Sequence, residues 1–257
     1  MNGHKSYETK AREPIINPVD RKLIIKELTS QKYIRNTRKG DNELYEVTYK
    51  DSPNIMREIG RLRELSFRVA GGGTGKSVDI DEYDTDEHNP YRQLIVWDPK
   101  DQEILGGYRY ILCGGLNPDK LATKELFNFS DTFINDYLPY TIELGRSFIQ
   151  PNYQGTSIKR KGLYALDNVW DGLGALMTKY TNYHYFFGFF FMLFCWQTNT
   201  IEYIFYFVIR KQFVYGVGIL IIHNQLVDLF IVREIKPIFI FKKQRYIVFN
   251  GDYVGYN

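Results

Sequence analysis

The sequence predicts an α/β protein of the α+β kind, a mixed central sheet flanked by helices, and three observations carry that expectation. Short apolar runs such as "QLIVWD" and "EILGGYRYILC" have strand length and are bounded by turn residues. Between them lie stretches whose apolar residues recur every three or four positions, the spacing of an amphipathic helix. The two patterns alternate along the chain, which suits a sheet covered by helices.

Taken in order, residues 1–16 are polar, lack an apolar signal-type core and are expected to be loosely attached. In "NPVDRKLIIKEL" Asn17 offers a cap and Pro18 a first helical turn, with Leu23, Ile24 and Leu28 as its apolar face. "KYIRNT" and "ELYEVTYK" read as strands joined by the glycine-containing turn "RKGDN". A helix over 53–69 follows from Ile55, Ile59, Leu62, Leu65 and Val69. Strands are expected at 93–98, 103–113 and 140–149, with a helix-rich insert through 117–136. A loop "QPNYQGTSIKRKG", a helix from Gly162 to Tyr180 and a strand "YHYFFG" complete a core of residues 17–188. Residues 189–257 are an atypical aromatic-rich region that either completes the sheet or departs from it. Its apolar runs are interrupted by Glu202, Arg210 and Lys211 and fall short of the roughly 20 residues a spanning helix needs. Buried elements are its plain reading, and a peripheral membrane contact is the alternative.

With 257 residues and a formal charge of +3, the chain is long enough for a sizeable core and too balanced in charge to point to nucleic acid. Cys113 and Cys195 are isolated among apolar residues and read as reduced thiols of a cytoplasmic protein. The four histidines are scattered, so no metal site is expected.

"AGGGTGKS", residues 70–77, fits a permissive phosphate-loop pattern. Its context opposes that reading: a helical pattern precedes it instead of a buried strand, and Asp79, Asp81, Asp84, Asp86 and Glu87 follow where phosphate would lie. A glycine loop after a helix C-terminus is the simpler reading, and a nucleotide binder the weakest of the functional alternatives.

Charged residues inside core-type strands stand out more. Arg109 in "GGYRY" and Glu143 and Arg146 in "ELGRS" are costly to bury unless paired, with one another or with the acidic loop containing Asp79, Asp81 and Asp84. They form either a structural ion network or a polar substrate site.

The stretches "RELSFRVAGGGTGKSVDIDEYD", "LIVWDPKDQEILGGYRYI", "ELGRSFIQPNYQ" and "KGLYALDNVWDGLGALM" resemble the GNAT superfamily, specifically the branch of ornithine N-acyltransferase-like and acyl-homoserine-lactone-synthase-like proteins. The resemblance runs from about residue 20 to residue 188. It implies a GNAT-like sheet and transfer of a fatty acyl group, often 3-hydroxylated, from acyl carrier protein to the α-amine of a small amino acid, in aminolipid synthesis. In that setting Glu143 would accept the ammonium proton, Arg146 and Arg109 would hold the acceptor's carboxylate or steady the acidic loop, and Asp81, Asp84 and Arg68 would lie around the acceptor. The donor's pantetheine would enter between two central strands. Ser157, Lys159, Arg160, Lys161 and Gly162, at the start of the next helix, would bind its phosphate and the acidic carrier. No cofactor beyond the acylated carrier is implied. The family's usual phosphate loop has no clear counterpart at Gln154–Gly155–Thr156–Ser157, and the aromatic region after Gly188 departs from relatives. A non-catalytic GNAT-like lipid- or carrier-binding protein is the competing expectation.

Overall fold

The computed structural model describes residues 12–154 and 160–191, together with short strands between 203 and 247. In chain order the elements are α1 (Arg21–Glu27), β1 (Tyr33–Asn36), β2 (Glu43–Val47), α2 (Pro53–Val69), α3 (Glu82–Thr85), β3 (Arg92–Asp98), β4 (Glu103–Leu112), β5 (Phe127–Phe129), β6 (Thr141–Ile149), α4 (Arg160–Lys179) and β7 (Tyr185–Phe191). The main sheet runs β1-β2-β3-β4-β6-β7. Its neighbours are antiparallel except for β6 and β7, which are parallel. The expected mixed α/β architecture is therefore what forms.

Alternation along the strands sends successive side chains to opposite faces. Leu94 and Val96 of β3 join Leu44, Tyr108, Tyr110 and Leu144 under α4, which contributes Ala165, Val169, Leu173 and Leu176 at helical spacing. Ile95 and Trp97 face the other way, onto Ile55, Met56, Ile59 and Leu62 of α2. A third cluster, with Tyr91, Ile111, Phe127, Phe133 and Phe187, fills the space beneath the segment between β4 and β6.

Several expectations are corrected by local hydrogen bonding. Helix α1 starts at Arg21, because the Asp20 carboxylate, and not Asn17, accepts from the Lys22 amide at 2.9 Å. Pro18 precedes the helix. The N-terminus of α2 is capped from outside: Glu27 accepts from the amides of Asn54 (3.1 Å) and Ile55 (2.9 Å). The segment expected to be helix-rich forms single 3₁₀ turns at Pro118–Lys120 and Ala122–Glu125, strand β5, and one wide turn at Phe133–Tyr137. Its Leu121, Phe127 and Phe133 are spaced to fill a pocket and not to line a helix face. Of the supposedly loose N-terminal residues, 12–16 run along the glycine loop, with the Glu13 amide donating to Gly75 O at 2.8 Å and the Ile16 amide to Ser77 O at 3.3 Å.

Beyond Gly188 the chain continues as strand to Phe191, so the aromatic run begins by completing the sheet. Strands β8 (Tyr203–Tyr206) and β9 (Ile209–Arg210) both pair with β7. Strand β10 (Gly218–Ile221) pairs with β8, while β11 (Ile240–Lys242) pairs with β5 and with β12 (Arg245–Ile247). Cys195 and the remainder of the 189–257 region lie outside the described residues. No helix among the described residues is long and apolar enough to cross a membrane.

Strands β6 and β7 pair only from Thr141↔Tyr185 to Leu144↔Gly188. Past that point β6 runs on to Ile149 while β7 takes up β8, so the two part company at Gly145. Just there β6 also bulges against β4: Gly107 faces Phe148, but Arg109 faces Gly145, leaving one extra residue on β6. Arg146 occupies the bulge with φ +51, a left-handed conformation uncommon for a non-glycine residue.

Candidate active site

A cleft of about 490 Å³ opens where β6 bulges. Phe67, Gly71 and Gly72 at the end of α2 form one rim, Asp81, Glu82 and Tyr83 a second, and Ala122, Thr123 and Leu126 a third. Tyr91, Arg109, Glu143, Gly145 and Arg146 line it from the sheet side.

The glycine rim is built by α2. The helix ends with the Gly72 amide donating to Phe67 O (2.8 Å) and the Gly71 amide to Arg68 O (3.0 Å), with Gly71 at φ +82, a conformation glycine adopts without penalty. The next amides do not await an anion, because they already hold one. Glu64 Oε2 accepts from the amide (2.9 Å) and hydroxyl (2.6 Å) of Thr74, and Glu64 Oε1 accepts from the Gly75 amide (2.9 Å) and from Arg68 Nε (2.6 Å). Burial pushes the Glu64 carboxyl up, but the hydrogen bonds from Thr74 and Arg68 bring it below its ordinary range. This loop follows a helix, contains its own carboxylate, and is not a phosphate loop. Magnesium ATP is expected to leave the thermal midpoint unchanged. Glu64→Ala is expected to cost about 1 kcal/mol or more in urea denaturation, since it removes a buried carboxylate that accepts four hydrogen bonds from the loop and Arg68.

The acidic rim crosses α2 at Gly60, whose missing side chain admits Ile80: a Cβ there would sit 2.8 Å from it. The Asp79 amide donates to Gly60 O at 3.0 Å. Asp81 caps α3, accepting from the Tyr83 (3.1 Å) and Asp84 (3.2 Å) amides, and Asp84 Oδ2 accepts in return from the Asp81 amide.

Beneath the cleft these carboxylates meet arginines. Arg109 Nη1 donates to both oxygens of Asp81, at 2.6 and 2.7 Å. Arg63, fully buried, donates to Asp84 (3.1 Å) and to Gln93, whose own Nε2 donates to Asp84 Oδ1 at 2.9 Å. Arg146, with a side chain 30% exposed, reaches Asp79 (3.2 Å) and Asp81 (3.3 Å) from the bulge. Burial raises the Asp79 carboxyl above its ordinary value despite Arg63 and Arg146. Burial also pushes Asp81 up, but Arg109 brings it below. Arg109 is lowered by burial and then driven above its ordinary value by Asp84 and Asp81. Its guanidinium also lies over the rings of Tyr91 (4.9 Å) and Tyr83 (5.4 Å).

Glu143 stands apart from this ionic layer. Its carboxylate accepts from Tyr91 Oη at 2.5 Å and from the Thr123 amide at 2.8 Å, and Tyr91 Oη accepts from the Ala122 amide at 2.9 Å. Burial raises the Glu143 carboxyl above its ordinary value, more than the bonds from Tyr91 and Thr123 and the charge of Arg109 lower it. A carboxylate so placed is a stronger base than one in water, and it faces a cleft that a substrate can enter.

The cleft therefore contains Glu143, Arg146, Arg109 and Asp81 together. Asp84 does not reach it: the carboxylate is wholly buried under α3 on Arg63, Gln93 and Arg109, so its placement around an acceptor is corrected to a supporting one. Arg68 likewise turns away from the cleft, onto Glu64 and Lys76 O. Ser157 and Lys159 lie outside the described residues; Arg160, Lys161 and Gly162 fall in the first turn of α4, where the backbone alone is described. Sequence reasoning missed Tyr91, Gln93 and Arg63. A signal existed for Arg63, which follows Ile55 and Ile59 at four-residue spacing on the buried stripe of α2. Among the described residues no group of three or more His, Cys, Asp or Glu side chains is arranged to hold a metal ion.

Residues 62–161, which include α2's second half, the acidic segment, β3, β4 and β6, match the acetyltransferase (GNAT) domain family. The chain is 56% identical over 181 residues to a glycine N(alpha)-acyltransferase of Phocaeicola vulgatus, covering 68% of this chain and 55% of that protein. It is 58% identical over 181 residues to a glycine N(alpha)-acyltransferase of Bacteroides thetaiotaomicron, covering 68% and 53%. The chain thus spans about half the length of the curated relatives it matches. No solved structure matches it. Strands β4 and β6 and the acidic segment, which line much of the cleft, lie within the stretch that matches the GNAT acetyltransferase domain.

Proposed function

We propose that the protein is an N-acyltransferase that moves an acyl group from a thioester donor to the α-amine of glycine. The observation that carries this reading is Glu143: a buried, proton-avid carboxylate on the cleft wall, two residues before Gly145, where the strands β6 and β7 separate. Identity with proteins named glycine N(alpha)-acyltransferase supports glycine as the acceptor.

An amino acid reaches the enzyme as an ammonium ion and cannot attack until it loses a proton. Glu143, directly or through one water, takes that proton. The amine nitrogen then attacks the thioester carbonyl carbon. The C–N bond forms, the C–S bond breaks, and the departing thiolate takes up a proton, leaving an amide and a free thiol. Glu143 returns its proton to solvent. The parting of β6 from β7 provides a place for the donor's extended arm beside Glu143. In the finer reading the donor is acyl carrier protein bearing a 3-hydroxyacyl chain, the product is an N-acyl aminolipid, and Ser157, Lys159, Arg160, Lys161 and Gly162 meet the donor's phosphate and carrier.

The test is free-thiol release by the purified chain with 3-hydroxyacyl carrier protein or the matching acyl-coenzyme A, in the presence of each of several amino acids. Release that depends on glycine, with N-acylglycine detected by mass spectrometry, is the expected result. Release independent of any amino acid, or none with either donor, overturns the reading. Preference for coenzyme A would retain the chemistry and remove the carrier.

A further inference from the structure

On the acyltransferase reading, the acceptor's carboxylate needs a cationic partner in the cleft, and Arg109 has the geometry for it. Among the described residues, Arg109 Nη1 holds Asp81, while its Nε, buried, has no hydrogen-bond partner. A buried N–H of a charged group left unpaired is unfavourable, and native structures retain few of them.

That Nε faces Gly145. Residues 143 and 145 share a face of β6 ahead of the bulge, so a side chain at 145 would project beside Glu143 into the cleft. Among the described residues, a Cβ built on Gly145 would meet only Arg109 atoms within 4 Å, Nε at 3.5 Å and Cγ at 3.7 Å. The space above Gly145 is therefore open. Its floor is the Nε edge of Arg109, one side carries Glu143 and the other the partly exposed Arg146. The charges of Asp79, Asp81 and Asp84 against Arg63, Arg109 and Arg146 balance. A zwitterion adds no net charge to this layer, with its carboxylate toward the arginines and its ammonium toward Glu143.

We propose that the niche above Gly145 is the carboxylate subsite for an α-amino acid, with Arg109 Nε–H as the donor that receives it and Gly145 as the residue that keeps it open. Gly145 is thus a specificity-determining position and not a conformational requirement, since its φ is not in the left-handed region.

The experiment measures binding and turnover separately. Carbon-13-labelled glycine is titrated against the full chain and followed by NMR line broadening, for the parent, Gly145→Ala and Arg109→Lys. Gly145→Ala introduces no steric clash and is expected to fold with an unchanged thermal midpoint, yet to bind glycine at least 10-fold more weakly. Arg109→Lys keeps a cation opposite Asp81 but has no Nε–H, and is expected to weaken glycine to a similar degree; it serves if the first variant does not fold. Acetate is expected to compete with glycine in the parent, and methylammonium not to. Parental glycine affinity in either folded variant, or no glycine binding by the parent, overturns the subsite. Binding that follows the expected pattern without any glycine-dependent thiol release retains the subsite and removes the acyltransferase reading.

Discussion

Replacing Glu143 with glutamine is expected to lower kcat/KM for the acceptor by about 10²–10⁴-fold, the usual contribution of a positioned general base. The substitution preserves shape and removes only proton affinity, so thermal stability is expected to change little. The pH profile carries a second part of the same expectation. A base must be ionised to act, so activity falls as pH drops through the Glu143 pKa, which burial holds above the ordinary carboxylate value. Tyr91 Oη donates to the ionised form and lowers that pKa. Tyr91→Phe removes the donor, favours the neutral acid, and is expected to move the acidic limb of kcat/KM to higher pH. A merely structural role for Tyr91 would lower activity at every pH and leave the limb in place. Parental rates in Glu143→Gln would show that another group accepts the proton.

Asp84→Ala is expected to produce the largest loss of stability, about 3–5 kcal/mol in urea denaturation, as is typical when one partner of a buried ion pair is deleted. Asp84 is fully buried, accepts from Arg63 and Gln93, and lies 3.5 Å from Arg109. Its removal leaves the buried Arg63 guanidinium hydrogen-bonded to Gln93 without its paired carboxylate and takes a carboxylate from beside Arg109. The Asp81–Asp84 capping arrangement of α3 goes with it, so the acidic rim of the cleft loosens as well. Lys39→Ala, which deletes an exposed pair with Asp167, is the control and is expected to leave the midpoint unchanged. Equal effects of the two substitutions would show that the buried layer does not stabilise the fold.

Most of the scaffold was legible in the sequence because its signals are local. The stripe Ile55, Ile59, Leu62 marks α2 from Pro53 to Val69, and the runs at 93–98 and 103–113 mark β3 and β4 within one residue. The insert before β6 was not legible. Leu121, Phe127 and Phe133 do not follow a 3.6-residue period, and they take their positions from a third apolar cluster assembled from distant parts of the chain.

Residue chemistry alone determined that Arg109, Glu143 and Arg146 need partners, since charges in apolar strands cannot be left alone. Which partners they have was decided by tertiary structure. Arg109 and Asp81 are 28 residues apart, and Tyr91 and Glu143 are 52 apart. Such pairs are set by strand register and by where the acidic segment crosses Gly60, which no window of neighbouring residues encodes. The bulge that turns Arg146 toward Asp79, and the open niche over Gly145, likewise exist only because β6 is held between β4 and a β7 that leaves it after Leu144.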